Sequence, residues 1–132
     1  MTDRTLINIA MEAAKKSYSP YSRFPVGAAL ECNNGKVYTG CNIENVALGC
    51  TVCAEQVAVF KAVSEGETKF KRLAVYAGSG SNYCFPCGTC RQVMLEFSPH
   101  IEVLCAKADG RYVSYMLNEL LPASFNKDII NS

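Results

Sequence analysis

The sequence has little net charge, a single histidine and no long apolar stretch. Among 132 residues, 13 are basic and 12 acidic, which gives a formal net charge of +1. A chain this close to neutrality has no basic field to hold a nucleic-acid backbone, so a small, nearly neutral partner fits better. No apolar run approaches about 18 residues, which argues against a membrane span, and the first residues lack the hydrophobic stretch of a signal peptide.

Repeats, low-complexity segments and linkers are also missing. The hydrophobic fraction of 49% is enough for a sizeable core, so residues 1–132 are expected to form one domain. Eight cysteines without an export signal predict a reducing cytoplasmic location, where clustered thiols more often bind a metal or react than form disulfides. The only histidine, His100, follows Ser98-Pro99 and is expected to be a surface turn residue.

Hydrophobic periodicity and turn residues predict an α/β fold. Helices are expected over residues 4–17, 53–65 and 88–97, strands over 26–30, 36–41, 73–77, 101–106 and 112–116, and a last helical turn over 118–121. A hairpin followed by alternating strands and helices favours a three-layer α/β/α domain with a five-stranded mixed sheet. The basic residues at 69, 71 and 72 are expected to form a solvated edge.

Two short cysteine motifs, 34 positions apart, indicate a metal site. They are Cys53-Ala54-Glu55 and Pro86-Cys87-Gly88-Thr89-Cys90. Both fall where helices begin, and the positive end of a helix favours thiolate over thiol. Cys87 and Cys90 lie three apart, hence on one face of a helical turn. Three thiolates would leave one position of a tetrahedral zinc free for water, as in catalytic rather than structural sites.

Glu55 is better suited to moving protons than to binding the metal, because it lies two residues beyond Cys53 and need not point the same way. A three-cysteine zinc site with a glutamate that is not a ligand matches hydrolytic deaminases. In that chemistry zinc-bound hydroxide attacks an amidine-like ring carbon, the glutamate protonates a ring nitrogen, and ammonia leaves.

Other interpretations of the cysteines remain open at this point. Cys50 or Cys84 could complete a closed four-cysteine structural site, and Cys87 with Cys90 could form a redox dithiol. Packing is the favoured role for Cys50 and Cys84 themselves. The remaining three cysteines lie in strand patterns and are expected to be small buried hydrophobic residues: Cys32, Cys41 and Cys105.

The chain resembles the small homotetrameric zinc-dependent cytidine deaminases nearly end to end, from Tyr18-Ser19-Pro20-Tyr21-Ser22 to Glu119-Leu120-Leu121-Pro122. The segments that carry the resemblance are residues 21–29 (YSRFPVGAA), 40–45 (GCNIEN), 53–55 (CAE), 62–66 (AVSEG) and 86–93 (PCGTCRQV). Together these are highly specific, although each alone would be weak.

The resemblance implies a role for each matching position. Cys53, Cys87 and Cys90 would bind one Zn²⁺ per chain, and Glu55 would be the proton shuttle. Asn42 would accept from and donate to the ribose hydroxyls, and Glu44 would accept from them. Phe24 would pack near the nucleoside and the Ala54 backbone would help to read the base, while Phe125 would stack on the pyrimidine in a neighbouring subunit's site.

The sequence departs from the family pattern at two positions. Gln56 stands where an arginine commonly follows the Cys-Ala-Glu motif, so the negative charge of three thiolates would be offset by helix dipoles, by hydrogen bonds to sulfur and by Arg91. Leu48 stands where relatives often place an aromatic residue that reaches a neighbouring site. These departures bear on affinity and on the charge of the metal centre.

The resemblance predicts hydrolysis of free cytidine and deoxycytidine to uridine and deoxyuridine, in pyrimidine salvage, by a cytoplasmic homotetramer. A deaminase of a blasticidin-type antibiotic would share the metal core, although residues 24–27 and 42–45 favour a nucleoside. RNA or DNA editing is disfavoured by the near-neutral charge. A zinc-stabilised module without catalysis is the third alternative, and it would have no use for Glu55.

Overall fold

The structure is a computed structural model that describes residues 1–131. These residues form five strands and five helices, with a short 3-10 turn at Leu48–Cys50. In chain order they are α1 (Asp3–Ala14), β1 (Val26–Cys32), β2 (Val37–Cys41), α2 (Ala54–Ser64), β3 (Phe70–Ala77), α3 (Gly88–Phe97), β4 (Glu102–Ala106), β5 (Tyr112–Met116), α4 (Leu117–Leu120) and α5 (Lys127–Asn131).

The strands form one mixed sheet in the order β2-β1-β3-β4-β5. β1 pairs antiparallel with both β2 and β3, β3 and β4 are parallel, and β5 returns antiparallel to β4. The parallel pair is joined through α3, because parallel neighbours need a crossover that a tight turn cannot supply. The predicted five-stranded mixed sheet is therefore confirmed.

Helices cover both faces of the sheet, which confirms the three-layer arrangement. On one face, Leu6, Ile7 and Ala10 of α1 pack against Ala29 and Leu104. The opposite face packs against α2 and α3, in a larger core of fully buried residues that includes Ala58, Val59, Met94, Leu30, Leu73 and Val103. Because the central strands have apolar side chains on both faces, their buried runs are nearly continuous.

A glycine lets the start of α2 lie directly on the sheet. A Cβ at Gly40 would overlap the Ala54 carbonyl oxygen and would lie 2.7 Å from the Ala58 nitrogen. Glycine is thus the residue that permits this close approach of backbones. The consequence for the site is that the first turn of α2, which begins at Ala54, is fixed against β2.

Most predicted elements are confirmed to within three residues, and α3 and β5 have the predicted bounds. The helix predicted over 4–17 ends earlier, at Ala14, because residues 15 and 16 form a turn. β3 begins three residues before the predicted strand, at Phe70. The 3-10 turn and α5 were not predicted. The signal for α5 was Asn126, whose side chain accepts from the Asp128 amide and so caps the helix.

The expectation of a solvated edge at residues 69, 71 and 72 is wrong for Arg72. Its side chain is only 12% exposed and pairs with Asp3 and Glu31 at 2.6 and 2.7 Å. Glu31 is itself buried. The sequence could not reveal this cluster, because its three members come from α1, β1 and β3 and meet only in the folded sheet. The structure contains no helix, within the residues it describes, that is long and apolar enough to cross a membrane.

Candidate active site

Three cysteines meet where α2 and α3 begin. Cys53 is the N-cap of α2 and Cys87 is the N-cap of α3, while Cys90 lies in the first turn of α3. The Sγ atoms of Cys53 and Cys87 are 3.8 Å apart, those of Cys87 and Cys90 are 3.2 Å apart, and all three lie within 4.8 Å of one another. The sequence prediction that two adjacent helix starts gather these sulfurs is confirmed.

The three sulfurs fit a zinc ion. Zn–S bonds of about 2.3 Å in a tetrahedron place sulfurs roughly 3.8 Å apart, which is the separation of Cys53 and Cys87. Among the residues that the structure describes, no fourth cysteine, histidine or carboxylate joins this cluster. The closed four-cysteine site is therefore wrong, because Cys50 and Cys84 lie outside the group. Three thiolate ligands would leave one position of a tetrahedral zinc open to solvent or substrate.

The hydrogen bonds among the sulfurs favour the thiolate form of Cys53 and the thiol form of Cys90. The Cys90 thiol donates toward Cys53 and lowers the pKa of Cys53 to about 6. The same hydrogen bond, together with burial, raises the pKa of Cys90. The Cys90 amide also donates to the Cys87 sulfur at 3.4 Å. Helix α3 thus directs its N-terminal dipole and a backbone N–H group at the cluster.

Glu55 lies beside the cluster and is almost completely buried, with 4% of its surface exposed. Burial raises the pKa of its carboxyl group to about 7, and the charge of Cys53 adds to the shift. Hydrogen bonds from the Glu55 amide and from Cys90 act in the opposite direction. A carboxyl group that titrates near neutrality can both accept and return a proton at physiological pH. Its position and protonation therefore suit a proton shuttle.

The cluster and Glu55 border one small cavity of about 190 Å³. Four parts of the chain contribute to its lining: the beginning of β1, the segment that ends at Cys53, the start of α2 and the loop before α3. The lining residues are Phe24, Val26, Asn42, Thr51, Val52, Cys53, Ala54, Glu55, Cys84, Phe85 and Cys87. Phe24, Asn42 and Ala54 are thus where the sequence placed them. Phe85 and Cys84 were not singled out for this wall, although both immediately precede the second cysteine motif.

Asn42 and Glu44 are held by the segment between α1 and β1. The Asn42 Oδ1 atom accepts from the Val26 amide at 3.0 Å, and its Nδ2 atom donates to the Phe24 carbonyl at 2.8 Å. The Glu44 carboxylate accepts from the Tyr21 and Ser22 amides at 2.9 and 3.1 Å. The Ser22 hydroxyl also donates to Glu44 and lowers the pKa of its carboxyl group. Glu44 lies just outside the cavity lining, with its charged form stabilised.

Gln56 caps the helix that presents the first zinc ligand. Its Oε1 atom accepts from the Cys53 amide at 3.0 Å, as the third helical residue does in a capping box. Arg91 is held elsewhere, since its Nε atom donates to the Pro86 carbonyl at 2.8 Å and its Nη1 atom to the Leu120 carbonyl at 2.6 Å. The guanidinium group therefore braces the loop that leads to Cys87.

Phe125, which was expected to serve a neighbouring subunit, is exposed, and so is Leu48, which stands where relatives often place an aromatic residue. Phe125 is 62% exposed and Leu48 is 73% exposed. Phe125 does not line the cavity of its own chain, and its backbone carbonyl accepts from the Gln92 side chain at 2.7 Å.

The remaining cysteines divide into two groups. Cys32 and Cys105 are buried as predicted, whereas Cys41 is only half-buried and donates toward the Lys16 carbonyl. Cys50 is exposed, so the expectation that it packs in the interior is wrong. Burial raises the pKa of Cys84 to about 12, which keeps this cavity-lining group a neutral thiol. His100 is exposed, as predicted.

Comparison with known proteins agrees with this geometry. The family model for the cytidine and deoxycytidylate deaminase zinc-binding region matches residues 1–106. The chain belongs to this deaminase family. The cluster of Cys53, Cys87 and Cys90 provides the zinc site of this domain, one per chain. A redox dithiol at Cys87 and Cys90 is not needed to account for the motif.

Relatives within the cytidine deaminase family match almost the whole chain. The cytidine deaminase of Sporosarcina psychrophila is 45% identical over 124 residues, which are 93% of this chain and 90% of the relative. The crystal structure of cytidine deaminase from Burkholderia pseudomallei superimposes with a TM-score of 0.90 at 42% identity, covering 95% of this chain and all of that one. Blasticidin-S deaminase of Bacillus cereus is more distant, at 28% identity over 96% of this chain and 94% of its own length.

Proposed function

We propose that the protein is a zinc-dependent hydrolase that converts free cytidine and deoxycytidine to uridine and deoxyuridine, with release of ammonia. One observation carries the proposal: the buried Glu55 lines the same small cavity as Cys53 and Cys87, two of the three clustered cysteines. A proton-transfer group beside a metal with one open position is what hydrolytic removal of an amino group requires. The identity to cytidine deaminases over most of the chain supports the choice of substrate.

Cys53, Cys87 and Cys90 would hold the zinc ion. When bound, zinc supplies Lewis acidity that activates water for attack on the ring carbon bearing the amino group. Glu55 would take one proton from the attacking water and deliver it to the neighbouring ring nitrogen. It would then take the second proton from the added hydroxyl group and deliver it to the amino group, which leaves as ammonia. Because its pKa is about 7, the Glu55 carboxyl group can both accept and release a proton at physiological pH.

The nucleoside would be held by residues that line or border the cavity. Phe24 would pack against it, the Ala54 backbone would contact the base, and Asn42 and Glu44 would bind the ribose hydroxyls. Hydrogen bonds from the segment between α1 and β1 hold both polar side chains in place. Asn42 retains one amide hydrogen beyond its bond to Phe24, and Glu44 retains its negative charge, which suits an acceptor for a hydroxyl group.

The assembly would be a homotetramer built from single-domain chains of residues 1–132. Exposed apolar side chains support this proposal, since Val46, Leu48, Phe125 and Ile130 each expose more than half of their surface. Where such side chains form a contiguous patch, they mark an interface. Phe125 would complete a neighbouring site by stacking on the pyrimidine. The enzyme would act in pyrimidine salvage in the cytoplasm, where thiol ligands stay reduced.

The test incubates zinc-loaded protein with cytidine and measures two products. Chromatography measures the uridine formed, and a second assay measures the ammonia released. The Glu55→Gln variant is the matched control, because it keeps the size and polarity of the side chain and removes the proton transfer. It should retain one zinc per chain and lose turnover by roughly 10³-fold or more. Turnover equal to the parent would contradict the role of Glu55, and absence of turnover in the zinc-loaded parent would contradict the proposed reaction.

A substrate panel separates the proposal from its rivals. Blasticidin S as the preferred substrate would identify an antibiotic deaminase, and activity confined to single-stranded RNA or DNA would identify an editing enzyme. We expect cytidine and deoxycytidine to be the preferred substrates and the polymers to be inert. Zinc binding with no turnover of any cytosine compound would indicate a non-catalytic module.

A further inference from the structure

Phe85 is an aromatic side chain at the cavity that the proposed mechanism does not use. It lies in the loop between β3 and α3, two residues before the zinc ligand Cys87, and it lines the same cavity as Glu55 and Phe24. The side chain is 44% exposed. Part of the ring is therefore accessible at the wall of an otherwise small cavity.

The ring of Phe85 is held in place on its other side. Its centroid lies 6.0 Å from that of Tyr115 on β5, with the two ring planes inclined at 55°, a geometry that stabilises aromatic pairs. Pro86, which follows directly, is fully buried and restricts the backbone. Arg91 binds the Pro86 carbonyl and fixes the next link of the loop. Phe85 is thus a supported wall rather than a mobile surface residue.

We propose that Phe85 is a substrate-binding residue, whose ring forms an own-chain aromatic wall against which the pyrimidine of the substrate packs. This inference rests on the proposed function, because it assigns a role at the same site. Phe24 and Phe85 come from different segments, the one before β1 and the other before α3, and both border the cavity that ends at the metal cluster. A flat heteroaromatic ring is the ligand that such a pair of aromatic surfaces would select.

Affinity rather than chemistry should depend on Phe85. A nucleobase stacks on an aromatic side chain whatever its exocyclic groups, so the contact is made equally in the ground state and in the transition state. Loss of the ring should therefore weaken nucleoside binding by roughly tenfold, equivalent to about 1.4 kcal/mol. The rate constant kcat should change by less than about twofold, because uniform binding alters KM alone.

The experiment compares Phe85→Leu with Phe60→Leu, in both the active protein and the Glu55→Gln background. Phe60→Leu is a matched control, because it is the same substitution at a phenylalanine that is 49% exposed and does not line the cavity. In the Glu55→Gln background, calorimetry gives the Kd for cytidine without turnover. We expect the Kd to rise roughly tenfold for Phe85→Leu and to stay unchanged for Phe60→Leu. Phe85→Tyr keeps the ring and should retain the parent's Kd.

Three results would overturn the inference. An unchanged Kd and KM in Phe85→Leu would show that the ring does not contact the substrate. If a loss of zinc accounted for the whole effect, Phe85 would have a structural role. If an altered native mass accounted for it, Phe85 would lie in an interface between subunits. Should Phe85→Leu not fold, Phe85→Met provides a second variant. Failure of the proposed function is recognised separately, because the unmodified protein would then not deaminate cytidine at all.

Discussion

The substitution Gly40→Ala tests whether close contact between β2 and α2 positions the active site. The added Cβ would overlap the Ala54 carbonyl oxygen and lie 2.7 Å from the Ala58 nitrogen. Both are backbone atoms of a helix, so no side-chain rotation relieves the contact. The start of α2 must move outward by roughly 1 Å before these atoms reach van der Waals separation, and it carries Cys53 and Glu55 with it.

The expected loss of stability is about 3 kcal/mol, the upper part of the range for overpacked interiors, because the obstructing atoms are rigid. At about 2.1 cal/mol/K per residue, a chain of 132 residues unfolds with an entropy near 280 cal/mol/K. The melting temperature Tm should therefore fall by about 11 °C. Displacement of one ligand relative to the other two should also weaken zinc binding by about tenfold.

Two glycine controls separate the effect on the site from the effect on stability. A Cβ at Gly27 would overlap the Ala10 carbonyl oxygen of α1, on the sheet face opposite the site, whereas a Cβ at Gly49 would meet no atom within 4 Å. Gly27→Ala should lower Tm comparably and leave zinc affinity unchanged, and Gly49→Ala should change neither. Calorimetric scans and chelator competition supply the two measurements.

The reasoning would be refuted if Gly40→Ala melted within about 2 °C of the parent, since the overlap would then be relieved without cost. Equal losses of zinc affinity in Gly40→Ala and Gly27→Ala would refute the positional part alone. In that case zinc binding would follow global stability, not the placement of α2 against β2.

Three further predictions concern the metal centre and its surroundings. Gln56→Met removes the acceptor for the Cys53 amide and should cost about 1 kcal/mol of stability. Gln56→Glu retains an acceptor and should keep the stability of the parent. Equal melting temperatures for the two variants would disprove the cap. Cys84→Ala should keep one zinc per chain by metal analysis and Cys87→Ser should lose it, and the reverse order would revive a different ligand set. The folded-state pKa of Glu44 is lowered below its ordinary value of 4.5, so this carboxylate contributes stability that is complete above pH 4.5 and is lost as pH falls through the lower folded value. The Tm difference between the parent and Glu44→Gln should accordingly be largest near neutral pH and vanish in acid, and a difference independent of pH would contradict it.

Local sequence patterns were sufficient for the elements and for the metal ligands. Capping and periodicity act over a few residues, so α3 could be placed from Gly88 to Phe97 without knowledge of its neighbours. The three zinc ligands were recognisable because each lies at or within the first turn of a helix, where the backbone itself favours thiolates. The family resemblance added the roles of Asn42 and Glu44, which spacing alone leaves open.

Contacts between distant segments could not be predicted in the same way. Arg72 was expected to be solvated, yet it binds Asp3 and Glu31, which lie 69 and 41 positions away in sequence. Cys50 was expected to pack, yet the 3-10 turn exposes it. In both cases the local composition is ordinary, and the outcome depends on which element lies opposite.

The sequence by itself determined the order of helices and strands, the three thiolate ligands and the carboxylate beside them, because these depend on residue type and short-range spacing. Only the tertiary structure decided that Cys50 and Cys84 lie outside the thiol cluster, that burial brings the pKa of Glu55 to about 7, and that Phe85 borders the cavity. Each of these depends on desolvation or on distances between segments far apart in the chain. Such quantities exist only once the sheet and its two helical layers have packed.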